Sequence, residues 1–470
     1  MKKLSLNRNE SGGLVNGQLS RRKFLRAAGG VTLASVVAAC AGPAPDSGAD
    51  AGEAEEAMAE AQGITMLIRS DIRSAYAADD AVERWNNEFE SQVAIEEPAG
   101  APDTKIQAAQ AAGDLIWDAY SVVVFPWDAP RWHSRGLIQP MDEFIEASSI
   151  PGADEVVPGI IPSIFEVHKI EGSQYGIPGN VGSVALGWFW EPMEKAGFDS
   201  QPMTWDAVRE AAEKIAETSP DLTPFDAACS PLCDLYAMIW GATETPITDE
   251  GLIDISGEAS LASLGWIREM VVDGLMAPAT GENFGNWLKG GTALLTSFDV
   301  HGTMAQQTFG QETATTGINF FREDPEVAGT KAGTPFWINS TALLNKAANP
   351  QGAVDFTLWW FGPENKATGK QITQVAAKPC YQYTYDEFVK DDPVQQWQLE
   401  GIELVRNSVW FPSNLFFGLQ NSNLGPEMQR LRDATQSVTP EEVIEVAMEG
   451  IQIDLDELKE SGRYDQMMMA

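Results

Sequence analysis

The sequence predicts an α/β protein organised as two domains, and three observations support this. Apolar runs of strand length alternate with segments in which apolar residues recur at helical spacing, a pattern typical of parallel sheets covered by helices. The segment with this pattern begins near Ile64 and holds roughly 400 residues, more than one hydrophobic core usually contains. Hydrophobic residues make up 44% of the chain and charged residues 21%, which indicates a globular body.

Four apolar runs bounded by polar or glycine-containing segments are predicted to be strands. They are residues 64–68, 120–125, 184–190 and 292–298. Between the second and the third run, the stretch KIEGSQYGIP predicts a hairpin that turns at Gly172. Glycine is favoured there because it adopts the left-handed backbone conformations that tight hairpin turns require.

Three helices are predicted from the residues at their starts. Thr204 precedes WDAVREAAEKIAET, and its hydroxyl can cap the first turn. Asn349 is followed by Pro350, a residue favoured in the first turn of a helix. Thr439 and Glu442 have the spacing of a capping box ahead of a long helix. These helices are interspersed with strands or follow them, as an α/β arrangement requires.

Residues 1–39 resemble an export signal that ends at a lipoprotein cleavage site. Residues 20–26, SRRKFLR, resemble the twin-arginine signal, which directs the export of folded proteins. The apolar run 27–39 is too short for a membrane-spanning helix, which needs roughly 20 residues. Residues 37–40, VAAC, resemble a lipobox, so Cys40 is predicted to become the lipidated first residue of the mature protein.

Residues 40–63 predict a flexible acidic tether between this anchor and the folded body. The segment is rich in Ala, Gly, Pro and acidic residues and has no aromatic side chain, so it cannot bury a core. The whole chain is acidic, with 68 acidic and 31 basic residues and a formal net charge of −37. Such a surface repels nucleic acid and anionic lipid headgroups, and both are excluded as partners.

The sequence offers little for catalysis or metal binding. Cys229 and Cys233 can form a local disulfide or remain thiols. The three histidines, His133, His168 and His301, are scattered, so neither a metal site nor a hydrolase triad is predicted. The stretch GPENKATGK departs from a phosphate-binding loop in its glycine spacing. A secreted carbohydrate-active enzyme with paired carboxylates remains an alternative, because acidic residues are numerous.

Several segments resemble, in order and spacing, the family 1 extracellular solute-binding proteins, the sugar-capturing components of ABC importers. The strongest resemblance is in YGIPGNVGSVALGWFWEPMEKAGFDSQPMTWDAVREAAEKI. Further resemblance lies in RWHSRGLIQPMDEFIEAS, NFGNWLKGGTALLTSF and NPQGAVDFTLWWFGPENKATGK. Together these segments extend over residues 64 to about 458 of the chain.

The resemblance implies a two-lobe periplasmic-binding-protein-like fold of type II, with an interdomain cleft and a hinge that the chain crosses several times. The crossings are expected near residues 176–179, 320–323 and 373–378. The expected lobes are an N-lobe of residues 64–177 plus 322–376 and a C-lobe of residues 178–321 plus 377–470. The ligand would then lie between the lobes, at the carboxyl ends of the strands.

The resemblance also places candidate ligand contacts in loops that follow strands. A sugar presents apolar faces and hydroxyls, so its site favours aromatic planes with amide or charged groups. The candidate ligand-binding residues are Asp71, Arg73, Phe125, Trp127, Asp128, Asn180, Ser297, Asp299, His301, Phe336, Trp337, Trp410, Asn414 and Phe416.

Two of these candidate positions have open alternatives. Asp71 and Arg73 follow the first strand and could equally form a surface ion pair. Asp299 and His301 lie where many family members carry Gly-Pro-Trp, so the usual stacking Trp is missing there. Asp299 would hydrogen-bond hydroxyls instead, or both residues would serve local structure.

These features predict a lipid-anchored receptor on the outer face of the cytoplasmic membrane, exported by the twin-arginine route. It would be a monomer without a cofactor that captures a mono- or oligosaccharide and delivers it to the transmembrane subunits of an ABC permease. The alternative within the same fold is a polyamine or an organophosphate such as glycerol phosphate. Arg69 and Arg73 in the cleft would favour an anion, whereas Asp71, Asp128 and Asp299 would favour a cation or a polyol.

Overall fold

The computed structural model describes most of the segment predicted to be folded. It describes residues 63–98, 102–125, 128–280, 282–329, 331–375, 378–411, 416–462 and 464, without the side chain at position 71. The predicted export signal, Cys40 and the tether up to residue 62 lie outside these residues, as do Trp127 and Asn414. No helix within the described ranges combines the length and the apolar character that crossing a membrane demands.

Within the described ranges, the strands form one nine-stranded sheet and a separate two-stranded hairpin. In chain order they are β1 (Ile64–Ile68), β2 (Val93–Glu96), β3 (Ala119–Phe125), β4 (Lys169–Ile170), β5 (Ser173–Gln174), β6 (Ile177–Phe189), β7 (Thr223–Ala227), β8 (Thr292–Phe298), β9 (Ala314–Thr316), β10 (Phe336–Leu343) and β11 (Lys378–Pro379). The large sheet runs β2-β1-β3-β10-β6-β8-β7, with β9 and β11 also paired to β6. β1 is parallel to β2 and β3, and β7 is parallel to β8, whereas β6 and β10 run antiparallel to their neighbours.

Helices cover the faces of this sheet. Those that begin before β7 are α1 (Ser70–Ala75), α2 (Ala78–Glu88), α3 (Pro102–Ala112), α4 (Asp128–Ser134), α5 (Asp142–Ala147), α6 (Ala153–Gly159), α7 (Pro162–Glu166), α8 (Trp190–Lys195) and α9 (Trp205–Thr218). Those after β7 are α10 (Ala237–Trp240), α11 (Glu258–Val272), α12 (Asn283–Trp287), α13 (Asp299–Phe309), α14 (Pro325–Ala328), α15 (Pro350–Phe361), α16 (Lys366–Val375), α17 (Gln382–Thr384), α18 (Trp397–Asn407), α19 (Phe416–Leu431) and α20 (Pro440–Glu460).

Two large hydrophobic cores define two lobes. The N-lobe core is built from β1 to β3, the first half of β6, β10 and residues 353–405. The C-lobe core takes its side chains from residues 186–320 and 411–455. The chain therefore passes between the lobes within β6, between residues 320 and 336, and between residues 405 and 411.

The last crossing differs in position from the sequence analysis, which assigned residues 377–470 to the C-lobe. Cys380, Tyr385 and Val405 are buried in the N-lobe core instead. The reason is that β11 pairs with the N-lobe half of β6, and the Tyr381 hydroxyl donates a hydrogen bond to the carbonyl of Pro178 at 2.8 Å. These contacts turn the chain back into the N-lobe for almost 30 further residues before it leaves.

β6 is a single buried strand of 13 residues that both lobes share. Its first half, 177–183, pairs with β10, and its second half, 184–188, pairs with β8. The sequence predicted only the second half, because Gly179 and Gly182 weaken the strand pattern of the first. A Cβ atom on Gly179 would lie 2.7 Å from Oη of Tyr76, so the close approach of that ring requires the glycine.

Other predicted elements are confirmed. β1 and β8 have the predicted bounds, and Thr439 and Glu442 form the capping box at the start of α20. The β4–β5 hairpin turns through Glu171 and Gly172, both with positive φ. Of the two possibilities for Cys229 and Cys233, the structure has the disulfide.

A buried ionic network lies within the C-lobe. The Arg432 guanidinium, directly after α19, donates to the carboxylates of Asp226 at 2.5 Å and Asp234 at 3.3 Å. Asn283 also donates to both carboxylate oxygens of Asp226, at 2.7 and 2.8 Å. Burial raises the pKa of Asp226, and the nearby Arg432 charge opposes that rise. The network ties the end of β7 to α12 and α19, because each charge depends on its buried partners.

His168 is a buried neutral histidine in the N-lobe. Its Nδ1 lies 2.8 Å from the carbonyl oxygen of Ile164, which can only accept, so Nδ1 carries the proton and donates. Its Nε2 lies 2.6 Å from Oγ of Ser340 and accepts from that hydroxyl. Burial lowers the pKa of His168 from 6.5 to about 4, against the opposing effect of the backbone contacts.

We expect His168 to make the protein less stable as the pH falls from about 6.5 to about 4. In this window the unfolded chain binds a proton on His168 that the folded chain does not. The destabilisation due to His168 is therefore absent above pH 6.5 and fully developed below about pH 4. The resulting decrease in the free energy of unfolding is on the order of 3 kcal/mol. Urea unfolding at several pH values should show a flatter pH profile for His168→Gln than for the wild type. His133→Gln is the matched control on α4, and equal profiles for wild type and His168→Gln would contradict the expectation.

Candidate ligand-binding site

A cavity of about 720 Å³ lies between the two lobes. It opens at the carboxyl ends of β1 and β8, and β6 and β10 form its floor. Its wall consists of Arg69, Ile72, Ser74, Ala75, Val124, Asn180, Gly182, Phe298, Asp299, Val300, His301, Met304, Gln307, Trp337, Asn339, Gln371 and Val375. Both the volume and the position at strand ends are those of a small-molecule site.

Three ring systems form an aromatic wall on one side of the cavity. Trp337 on β10 meets Phe298 edge to face, with ring centroids 4.7 Å apart. His301 lies 5.1 Å from Phe298 and stacks on Phe284 behind it at 3.7 Å. Trp337 reaches this position because Gly182 has no side chain, since a Cβ there would lie 2.4 Å from Cε2 of Trp337. The wall offers apolar ring faces to a ligand.

Two side-chain amides lie on the floor beside these rings. Asn180 on β6 and Asn339 on β10 are paired in the sheet register, and Nδ2 of Asn339 donates to Oδ1 of Asn180 at 3.1 Å. The Tyr76 hydroxyl donates to the same oxygen at 2.5 Å, which fixes the orientation of the Asn180 amide. Amides both donate and accept hydrogen bonds, so this floor suits a ligand that carries hydroxyl groups.

His301 is neutral at physiological pH. Burial lowers its pKa to about 4. Among the described residues, its buried Nδ1 has no hydrogen-bond partner. A neutral imidazole can donate from one nitrogen and accept at the other, so His301 can exchange hydrogen bonds with an uncharged ligand.

Asp299 begins α13, and groups of the protein bind its carboxylate. One oxygen accepts from the Ser183 amide at 3.1 Å and the Ser183 hydroxyl at 3.2 Å, and it also forms an ion pair with Lys378. The other oxygen accepts from the amide of Val300 at 2.8 Å. The side chains of Asp299 and Lys378 are both fully buried. The pair joins the start of a C-lobe helix to β6 and β11 at the junction of the lobes.

Two helices close one rim of the cavity. Met304 and Gln307 on α13 face Gln371 and Val375 on α16, and all four line the cavity. Nε2 of Gln307 donates to the backbone carbonyl of Gln374 at 3.1 Å, a direct contact between the lobes. The cleft is thus narrowed on the side of these helices.

The structure brings together four of the residues that the sequence analysis proposed as ligand contacts. These four are Asn180, Asp299, His301 and Trp337. They come from three separate segments of the chain and meet because β6, β8 and β10 are neighbours in the sheet. Their role in binding remains a prediction.

The other described candidates lie elsewhere. Arg73 forms ion pairs with Asp79 and Glu97, the alternative considered from the sequence. Asp128 pairs with Arg131 within α4, and burial raises the pKa of Asp128. The exposed side chain of Trp410 does not line the cavity.

Four more candidates have positions set by packing or by the backbone. The ring of Phe125 packs against His168 at 4.4 Å. Phe336 lies in the N-lobe core and Phe416 in the C-lobe core. The hydroxyl of buried Ser297 donates to the carbonyl of Phe298 at 3.3 Å. The Asp71 side chain, Trp127 and Asn414 lie outside the described part of the chain.

The sequence analysis proposed Asp299 and His301 of α13 but missed the other wall residues of this helix and the part of the wall that α16 provides. A signal was present for α13, because Val300, Met304 and Gln307 recur at the spacing of one helical face directly after a predicted strand. No such signal marked Gln371 and Val375, which reach the cavity only through the packing of α16.

The two-lobed α/β architecture with a cleft at strand ends defines a protein of the periplasmic-binding-protein class. The chain belongs to the bacterial extracellular solute-binding protein family, whose sequence profile matches residues 82–393. The resemblance noted from the sequence is thereby confirmed. The protein is accordingly a solute-binding protein that acts outside the cytoplasm and not an enzyme.

Solved structures of low sequence identity share the fold. UgpB from Mycobacterium tuberculosis, in complex with glycerophosphocholine, superposes with a TM-score of 0.70 at 13% identity, over 84% of this chain and 99% of that one. The sugar-binding protein MalE from Xanthomonas citri gives 0.69 at 14% identity, over 84% and 98%. The GacH receptor of Streptomyces glaucescens, solved with acarbose, gives 0.68 at 14% identity, over 85% and 99%.

A curated relative is similar in sequence over part of its length. The lactose-binding protein of Rhizobium radiobacter is 26% identical over 200 residues. This match covers 41% of the present chain and 46% of the relative, so it spans about half of that protein.

We expect Gly182→Ala to displace Trp337 from the cavity wall, because the added methyl group would overlap its ring. Overpacking of this kind costs about 1–3 kcal/mol, which urea unfolding would measure. Gly265→Ala in α11 is the matched control, because no atom lies within 4 Å of the added Cβ. If both variants were equally stable, the close contact between Gly182 and Trp337 would be refuted.

Proposed function

We propose that the protein captures a mono- or oligosaccharide in the cleft between its lobes and delivers it to the transmembrane subunits of an ABC permease. The observation that carries this proposal is the pairing of an aromatic wall with an amide floor in one cavity of about 720 Å³. Rings cover the apolar faces of a sugar, and amides exchange hydrogen bonds with its hydroxyls. The lactose-binding relative and the MalE structure support a sugar as the solute.

In this proposal Trp337 and His301 contact the apolar faces and hydroxyls of the sugar, while Asn180 and Asn339 bind hydroxyls from below. Trp127 and Asn414 are also proposed to contact the sugar, as the family resemblance implies. Ligand contacts from both lobes stabilise the closed form, which is the form that a permease would recognise.

A second candidate solute is a phosphate ester. Arg69 lies in the cavity wall, directly after β1, and guanidinium groups bind phosphate oxygens well. The UgpB structure, solved with glycerophosphocholine, has the same fold. The two candidates differ in charge, so one ligand panel separates them.

Thermal unfolding of the protein from Gln62 onward, in the presence of lactose, maltose, acarbose or glycerophosphocholine, would test this function. A ligand that binds only the folded state raises the melting temperature by mass action. We expect a rise with at least one sugar, and Trp337→Ala should weaken binding of that sugar about 30-fold, the loss typical of a buried aromatic contact. Trp337→Phe should retain most of the affinity because it keeps an aromatic face.

Trp190→Ala is the matched control, because Trp190 packs edge to face on Trp188 at the far end of β6. A rise with glycerophosphocholine alone would favour the phosphate ester over the sugar. No rise with any compound of the panel, or equal affinities for wild type and Trp337→Ala, would contradict the proposed site.

We also propose that Cys40 carries the lipid that anchors the protein outside the cytoplasmic membrane after twin-arginine export. Cys40→Ala should shift the full-length protein from the membrane fraction to the culture medium and abolish its labelling with radioactive palmitate. Cys380→Ala removes a buried thiol instead and should leave the membrane fraction unchanged. Membrane-bound Cys40→Ala protein would exclude this anchor.

A further inference from the structure

The cavity wall contrasts in charge with the rest of the chain. The protein has 68 acidic and 31 basic residues, so acidic side chains outnumber basic ones about twofold. Among the described residues of the wall, however, Asp299 is the one acidic residue and Arg69 the one lysine or arginine. Fields within such a cavity decide which charges it admits, because its walls have a low dielectric constant.

Both oxygens of the single carboxylate in this wall are bonded to groups of the protein. Its oxygens accept hydrogen bonds from Ser183 and Val300, and Lys378 neutralises its charge. Nζ of Lys378 also donates to the Ser183 hydroxyl at 2.8 Å and lies 5.5 Å from the centroid of the Trp397 ring. Both side chains are fully buried, so neither charge reaches the cavity in an uncompensated form.

Resting on the proposed function of the cleft, we infer that Lys378 determines its charge selectivity. By holding Asp299 in a buried pair, Lys378 leaves the cleft without a free carboxylate, so the cleft takes solutes without positive charge and rejects cations such as polyamines. A polyamine would lose its hydration on entry and meet no counter-charge from the described wall. A sugar, whose hydroxyls need hydrogen bonds but no counter-charge, has no such penalty.

The sequence analysis left a cationic solute as an alternative, because Asp299 was expected in the cleft. The ion pair between Asp299 and Lys378 argues against that alternative. Asp299 follows β8 at the position where a ligand contact was expected, and Lys378 is 79 residues further along the chain. The two meet because β8 and β11 pair with successive segments of β6, residues 184–188 and 180–181. Lys378 acts through Asp299 and is therefore a selectivity residue without a ligand contact of its own.

The test measures spermidine binding to the wild type and three variants by calorimetry and thermal unfolding. Spermidine binding to the wild type should lie below the detection limit, and Lys378→Met should bind spermidine at least about tenfold more tightly than that limit, with an affinity that falls as salt rises. The double variant Lys378→Met/Asp299→Asn should reject spermidine again, since it has neither charge. Binding of spermidine to the wild type, or no gain in folded Lys378→Met, would overturn the inference.

Removing one partner of a buried pair can prevent folding, so Asp299→Asn tests the inference from the other side. Lys378 then lacks its counter-ion, and the affinity for glycerol 3-phosphate should rise about tenfold over the wild type and return to the wild-type value in the double variant. No rise would overturn the inference. These measurements need no bound sugar. A failure of the sugar panel would therefore refute the proposed function alone, and the spermidine comparison would still decide the role of Lys378.

Discussion

The structure depends on one strand, β6, and on the absence of side chains at two of its positions. Its first half belongs to the sheet of the N-lobe and its second half to that of the C-lobe, so the lobes are joined through a continuous buried backbone. Gly179 admits Tyr76 and Gly182 admits Trp337, one on each side of Asn180 in sequence. Both of these close ring contacts and the connection between the lobes therefore follow from the same short stretch of sequence.

Local signals predicted much of the fold, and contacts between distant segments decided the rest. Apolar runs predicted strands that the structure contains. The capping residues Thr204 and Asn349 predicted the starts of two helices that it also contains. The first half of β6 escaped prediction because its glycines serve the packing of other segments, which strand propensity does not record. In the site, the family resemblance suggested Asn180, His301 and Trp337 as ligand contacts, and the structure places all three in the cavity wall. Residues of α16 could not be predicted, since only helix packing brings them to the cavity.

Three buried carboxylates in the described part of the chain are paired with buried bases. Arg432 satisfies Asp226 and Asp234 in the C-lobe, and Lys378 satisfies Asp299 between the lobes. A buried carboxylate without a partner would have a raised pKa or would cost several kcal/mol, so each acid at these positions requires its base. Such groups specify one arrangement of the strands and helices that carry them.

Closure of the cleft follows from how the wall is divided between the lobes. Phe298 and His301 belong to C-lobe segments, whereas Asn339 belongs to an N-lobe strand, so a solute that touches all three binds the closed arrangement best. A ligand shifts a conformational equilibrium only by its difference in affinity for the two states. The contact between Gln307 and Gln374 contributes one hydrogen bond to closure without ligand, about 1 kcal/mol. A solute that contacts both lobes would add to this contribution, so occupancy of the cleft would favour the closed form.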